Sequence, residues 1–135
     1  MSSNNIDIVR DTLGALNSRQ FERIPEFIGP GFVRHDLVGA YPGVAGTEGV
    51  ADLLSTLLKG APDLRIGIQD IFGSGDRVAA RVTVEGTHTG EFFGQPGSGR
   101  RFAVNEVLIY RVQDGKIAET WQLLDVAGLR SQVVG

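Results

Sequence analysis

At Asp63 the hydrophobic period of the chain changes, and that change sets the fold class. Before it, apolar residues recur every three or four positions. Ile6, Val9, Leu13 and Leu16 make one stripe, and Val50, Leu53, Leu54, Leu57 and Leu58 a wider one. After it, Leu64, Ile66 and Ile68 alternate with Arg65, Gly67 and Gln69, the period of a strand. The spacing predicts helices over about 4–18, 21–28 and 47–59, with Asn4 and Thr47 as caps. Gly29-Pro30-Gly31 ends the second helix, and Gly60 with Pro62 the third. Phe32 to Asp36 reads as a short extended piece, followed by a turn at Tyr41-Pro42-Gly43. Strands are expected from Leu64 to the Gly73-Ser74-Gly75-Asp76 turn and over about 78–90, 101–112 and 116–126, the last two joined at Asp114-Gly115. The tail from Ala127 reads as frayed. Helices first and antiparallel strands afterwards make an α+β pattern, with helices on one face of a curved sheet. Glycine supports the curvature: the 19 glycines among 135 residues punctuate short elements instead of gathering in a linker.

A chain of 135 residues is one domain by length, and we take residues 1–135 as a single unit. With 41% hydrophobic and 21% charged residues it can bury a core without disulfides. A net charge of −3 without a basic run argues against nucleic-acid binding. The absence of cysteine removes thiolate catalysis and cysteine-ligated metals, and two histidines far apart in sequence cannot build a multi-histidine centre. The N-terminus lacks the apolar stretch of a signal peptide, and the longest apolar run, Val107 to Tyr110, is far too short to span a membrane. A cytoplasmic protein is the expectation.

Three stretches resemble the SnoaL-like polyketide cyclases. They are Gly86-Thr87-His88-Thr89-Gly90-Glu91-Phe92-Phe93-Gly94-Gln95-Pro96, the hairpin from Arg111 to Trp121 followed by Asp125, and the ending from Leu129 to Gly135. Phe32-Val33-Arg34-His35-Asp36 is similar to the segment after that family's second helix. The resemblance implies the NTF2-like fold (nuclear transport factor 2-like), an α+β roll in which a cone-shaped curved antiparallel sheet is closed by N-terminal helices around an apolar pocket. It also implies cofactor-free acid/base aldol chemistry, with the family's catalytic aspartate falling on Asp125. The chain departs from the family at Leu108, where a histidine that assists catalysis is usual.

The residues themselves give a partial counterpart. Alternation along the last strand places Glu119, Trp121, Leu123 and Asp125 on one face and Thr120, Gln122 and Leu124 on the other. An acid ending a face with Trp121 and Leu123 would be desolvated and useful as a base, or it is a strand-end cap. With the family match, Asp125 is the expected acid/base. His88 continues the face of Val82, Val84 and Gly86 and is either a polariser of a substrate carbonyl or a histidine satisfied by backbone. Glu106 shares a face with Leu108 and Tyr110. If inward it pairs with Asp125 as a second acid; if outward it meets Arg101 or Arg111. His35 and Asp36 point to opposite sides of an extended segment, so only one of them can enter the pocket, the other reading being rim and surface. The expected site is therefore Asp125 and His88 as catalytic groups, with Glu106, Trp121, Tyr110, Leu108, Phe32, His35 and Leu54 around a hydrophobic substrate and no cofactor or metal. The other readings are a non-catalytic binding or dimerisation module, or an isomerase or hydrolase of the same fold. A homodimer is expected through Ala103, Asn105, Val107, Ile109, Thr120, Gln122 and Leu124 on the sheet's outer face.

Overall fold

A computed structural model describes residues 2–38, 43–92 and 94–134. The expected turn at Tyr41-Pro42-Gly43 involves 41 and 42, which lie outside the described residues, as does Phe93 of the histidine–glycine stretch. Helix α1 (Ser2–Asn17) buries the predicted stripe, with Val9 and Leu13 in the core and Ile6 and Leu16 packed against it. Its start precedes Asn4, so Asn4 is a first-turn residue and not the cap. At the other end Asn17 binds both the N–H and the C=O of Ile66, which ties the helix to the sheet.

The second expected helix is shorter than its pattern. A single 3-10 turn (Phe21–Arg23) leads into α2 (Ile24–Phe27), and the chain is already extended at Ile28. Glycines and Pro30 follow at once, and β1 (Ile28–Asp36) takes in the whole stretch expected to be a breaker. A two-residue strand, β2 (Val44–Ala45), precedes α3 (Gly46–Gly60), whose apolar face buries Val50, Leu53 and Leu54. The helix begins at Gly46, with φ of +71° there, so Thr47 is not its cap.

Then come β3 (Arg65–Ser74), β4 (Arg77–Thr87), β5 (Arg101–Gln113) and β6 (Lys116–Leu124). The hairpin turns fall where expected: Asp114 and Gly115 both have positive φ, as the tight turn between β5 and β6 demands. The six strands run in the order β2-β1-β6-β5-β4-β3. The sheet is curved, unclosed and mixed rather than wholly antiparallel, because β1 lies parallel to β6 through the pairs Val33–Glu119, Arg34–Thr120, His35–Trp121 and Asp36–Gln122. Two segments more than eighty residues apart in sequence are thereby joined, which no local pattern announces.

The tail is not frayed. It forms α4 (Val126–Val133), and Leu129 and Val133 pack on Phe92, Phe102 and Val104. Gln132 accepts from the Ala103 N–H and donates to its carbonyl, which pins the helix to β5. The main core lies between α1, α3 and the concave face. Val9, Val78 and Val82 are fully enclosed there, and each such side chain contributes roughly 1.5–3 kcal/mol. Among the described residues no helix is long and apolar enough to cross a membrane.

Candidate active site

Between the helices and the concave sheet face is a cavity walled mostly by apolar side chains, among them Leu13, Phe32, Leu54, Phe92, Leu108 and Leu129. One wall is polar. Strand register builds it: Arg34 of β1 lies beside Thr120 of β6, and Thr120 beside Tyr110 of β5. One pleat further on, Asp36 lies beside Gln122 and Gln122 beside Leu108. Glu106 follows on β5, between Leu124 and Val82. All of these except Val82 line the cavity.

Glu106 is the group with chemistry to offer. Burial pushes its carboxyl up to about 7; Arg34 moderates the rise and Asp36 adds to it. A carboxyl titrating there can both take and return a proton near neutrality. Tyr110 is held in its O–H form by burial and by the neighbouring Glu106 charge. Arg34 is the cation that acts on both groups. The Thr12 hydroxyl is already spent on the Ile8 carbonyl, 2.7 Å away within its own helix. Thus one apolar chamber holds an acid/base, a phenol donor and a guanidinium on a single wall.

Of the residues expected around the substrate, Phe32, Leu54, Glu106, Leu108 and Tyr110 line this cavity; Asp125, His88, Trp121 and His35 do not. Asp125 is the first correction. It lies just past β6, exposed, and is the N-cap of α4, accepting the Gly128 N–H at 2.9 Å. It therefore forms no acid pair with Glu106. Glu106 does not meet Arg101 or Arg111 either: the former lies by Asp63 and Glu85, the latter pairs with Glu119.

The face of β6 is the second correction. Thr120, Gln122 and Leu124 point inward, while Glu119, Trp121 and Leu123 point outward. The cause is a bulge at Ala118. Val112 pairs with Ile117 and Arg111 with Glu119, so one extra residue on β6 shifts the inward set from odd to even numbers. Trp121 is accommodated outside because His35 stacks on it at 5.4 Å and the Arg77 guanidinium lies 5.4 Å from its ring centre. His35 itself bonds Glu119 at 2.6 Å on that outer face. Asp36 is the member of the pair that enters.

His88 is the third correction. It is completely buried just beyond β4, with Nε2 facing the Gln95 carbonyl at 3.2 Å. Its Nδ1 faces both the hydroxyl and the N–H of Ser98 at 2.9 and 3.3 Å. A carbonyl only accepts and an N–H only donates, so Nε2 carries the proton and Nδ1 accepts. Both nitrogens are committed to the loop 88–100. His88 holds that loop, and with it Phe92 at the cavity wall, and does not itself line the cavity.

Arg34, Thr120 and Gln122 are missing from the expected site, and the choice between His35 and Asp36 is open there. Strand parity settles β1: once Phe32 faces inward, it carries Arg34 and Asp36 with it and excludes His35. For Thr120 and Gln122 the bulge hides the signal. Among the described residues, no group of three or more carboxylates, histidines or cysteines is placed to hold a metal.

The chain resembles known proteins over nearly its whole length. The family model described as SnoaL-like polyketide cyclase matches residues 6–133. Aklanonic acid methyl ester cyclase DnrD of Streptomyces peucetius is 30% identical over 138 residues, covering 97% of this chain and 91% of the relative. Aklanonic acid methyl ester cyclase DauD of Streptomyces sp. strain C5 is 30% identical over 135 residues, covering 95% and 80%. Among solved structures, wild-type IdmH of Streptomyces antibioticus superposes with a TM-score of 0.84 at 33% identity, covering 95% of this chain and 96% of that one.

Proposed function

The chain belongs to the SnoaL-like polyketide cyclase family, and on that premise we propose that it closes a ring in a hydrophobic polyketide ester by acid/base aldol chemistry, without a cofactor and in the cytoplasm. The observation that carries the reading is Glu106, a carboxyl pushed to about 7 inside an apolar cavity. A chamber lined by apolar groups alone would suit a passive binder. The named activity of DnrD and DauD, cyclisation of aklanonic acid methyl ester, supports a substrate of that class here.

In the proposed reaction the ionised Glu106 removes a proton from the carbon alpha to a substrate carbonyl. The electron pair moves onto that carbonyl oxygen, where the Arg34 N–H and the Tyr110 O–H stabilise the enolate. The enolate carbon attacks a second carbonyl of the same molecule, a carbon–carbon bond forms, and the new alkoxide takes back the proton from Glu106. The base is regenerated and no redox partner is needed. The apolar walls exclude water, which keeps the carboxylate basic and protects the enolate. Leu108, in the place where the family resemblance implies a histidine, contributes shape only, so the acid/base work falls on one residue.

Glu106→Gln keeps the volume and loses the titrating proton. Turnover of an aromatic polyketide methyl ester should fall by roughly 10²–10⁴ with the fold intact. Turnover within a factor of about two of wild type would remove Glu106 from the mechanism.

A further inference from the structure

Among the described residues, two buried side-chain polar atoms have no hydrogen-bond partner: Nη1 of Arg34 and Oε1 of Gln122. Gln122 is only 1% exposed, and both residues line the cavity. Buried polar groups in a folded protein are almost always paired, so two orphans on one wall call for an explanation. Their chemistry is complementary. A guanidinium nitrogen can only donate, and an amide oxygen can only accept. Arg34 lies beside Thr120 in the β1–β6 pairing, and Gln122 is the next inward residue of β6. The two residues are therefore diagonal neighbours on adjacent strands, their backbones about 7–8 Å apart. A side chain of the same length without polar atoms would fill either place with no unmet bond.

We infer that Arg34 and Gln122 form a two-point subsite for a hydroxy-carbonyl substrate, in which Arg34 takes a carbonyl oxygen and Gln122 takes a hydroxyl hydrogen from a different part of the same molecule. The subsite discriminates against analogues that lack either group, because the missing group leaves a protein atom unpaired against an otherwise apolar ligand. This is selectivity of the strong kind, since an absent hydrogen bond is punished more than an absent methylene. The substrate class of the proposed reaction is thereby narrowed from any apolar carbonyl compound to one that carries a free hydroxyl remote from the reacting carbonyl. The inference rests on the reading of the cavity as the substrate site, but not on the role of Glu106.

Three bicyclic probes of one carbon frame test it by isothermal titration calorimetry. They are a hydroxytetralone with its hydroxyl para to the carbonyl-bearing ring carbon, tetralone without the hydroxyl, and tetrahydronaphthol without the carbonyl. The hydroxytetralone should bind roughly tenfold or more tighter than either of the others. Gln122→Met should erase its advantage over tetralone, and Arg34→Met its advantage over tetrahydronaphthol. Both variants, free of ligand, should melt at or above the wild-type temperature, since each removes an unmet polar atom. Equal binding of the three probes, or binding of none, overturns the inference without any variant. So does a lowered melting temperature in both variants with unchanged selectivity, which would mark the pair as structural. Normal turnover by Glu106→Gln would overturn the catalytic reading alone, whereas indifference to the probes' polar groups would overturn this subsite alone.

Discussion

Glu106 lies within β5 and Asp125 just past the end of β6, and their neighbours give the two acids different work. Glu106 sits among Val82, Val104 and Leu124 and is pushed to about 7, where a carboxyl can exchange a proton. Asp125 faces solvent and spends its side chain on the first turn of α4. Asp125→Asn should therefore leave turnover nearly unchanged, since asparagine still caps a helix. Asp125→Ala should lower stability by about 1 kcal/mol, with Leu129 and Val133 loosened on Phe102. Thermal melts and a steady-state assay of the two variants check this, and a large rate loss in Asp125→Asn with an unshifted melt would return the acid/base role to Asp125. At the same scale Arg34 holds Glu106 within reach of ionisation, and in the proposed reaction it also gives the enolate a cation.

The elements most legible in the sequence are those whose period is unbroken. The stripes of α1 and α3 and the alternation of β4 and β5 follow the predicted faces, and Val104, Glu106, Leu108 and Tyr110 point inward as a set. What was not legible came from three devices that leave no local trace. The bulge at Ala118 inverts every residue of β6 beyond it, which moved Trp121 out and Gln122 in. The parallel pairing of β1 with β6 brings Arg34 and Asp36 to a wall otherwise made of C-terminal strands. The tail reads as weakly apolar until Leu129 and Val133 find the second cluster. The loop 88–100 is a fourth element whose order is tertiary. His88 exchanges backbone bonds with Gly99 and Arg100 and side-chain bonds with Gln95 and Ser98. A β-carbon on Gly90 or Gly97 would run into the Lys59 or Thr89 carbonyl, so the backbone passes too close at these two positions for any side chain. His88→Ala should speed hydrogen exchange over 95–100 and raise KM more than it lowers kcat. Unchanged exchange would show that the loop holds itself.

For the whole molecule the outer sheet face and the cavity are two sides of the same strands. Val107 pairs with Leu123 and Ile109 with Trp121, and Val107, Ile109 and Leu123 stay 43–47% exposed. The expected dimer face thus keeps Val107 and Ile109 but exchanges Thr120, Gln122 and Leu124 for Glu119, Trp121 and Leu123. Since α4 packs at Phe102 and Val104, the tail does not cover this patch. A homodimer with a two-fold axis through it is the proposed assembly. Light scattering at micromolar concentration should give twice 14.5 kDa, and Val107→Glu should halve it; a wild-type mass of 14.5 kDa rejects the dimer. In the proposed mechanism turnover depends on all of these layers holding Glu106 in place. The most direct test of the central claim is the pH dependence of kcat/KM on an aromatic polyketide methyl ester, for wild type and Glu106→Gln. The base form of Glu106 must be present in the free enzyme, so the rate should rise with pH through about 7 to a plateau, and that limb should vanish in the residual activity of the variant. A profile already flat from pH 5 to 8, or one whose limb survives in Glu106→Gln, would contradict the account.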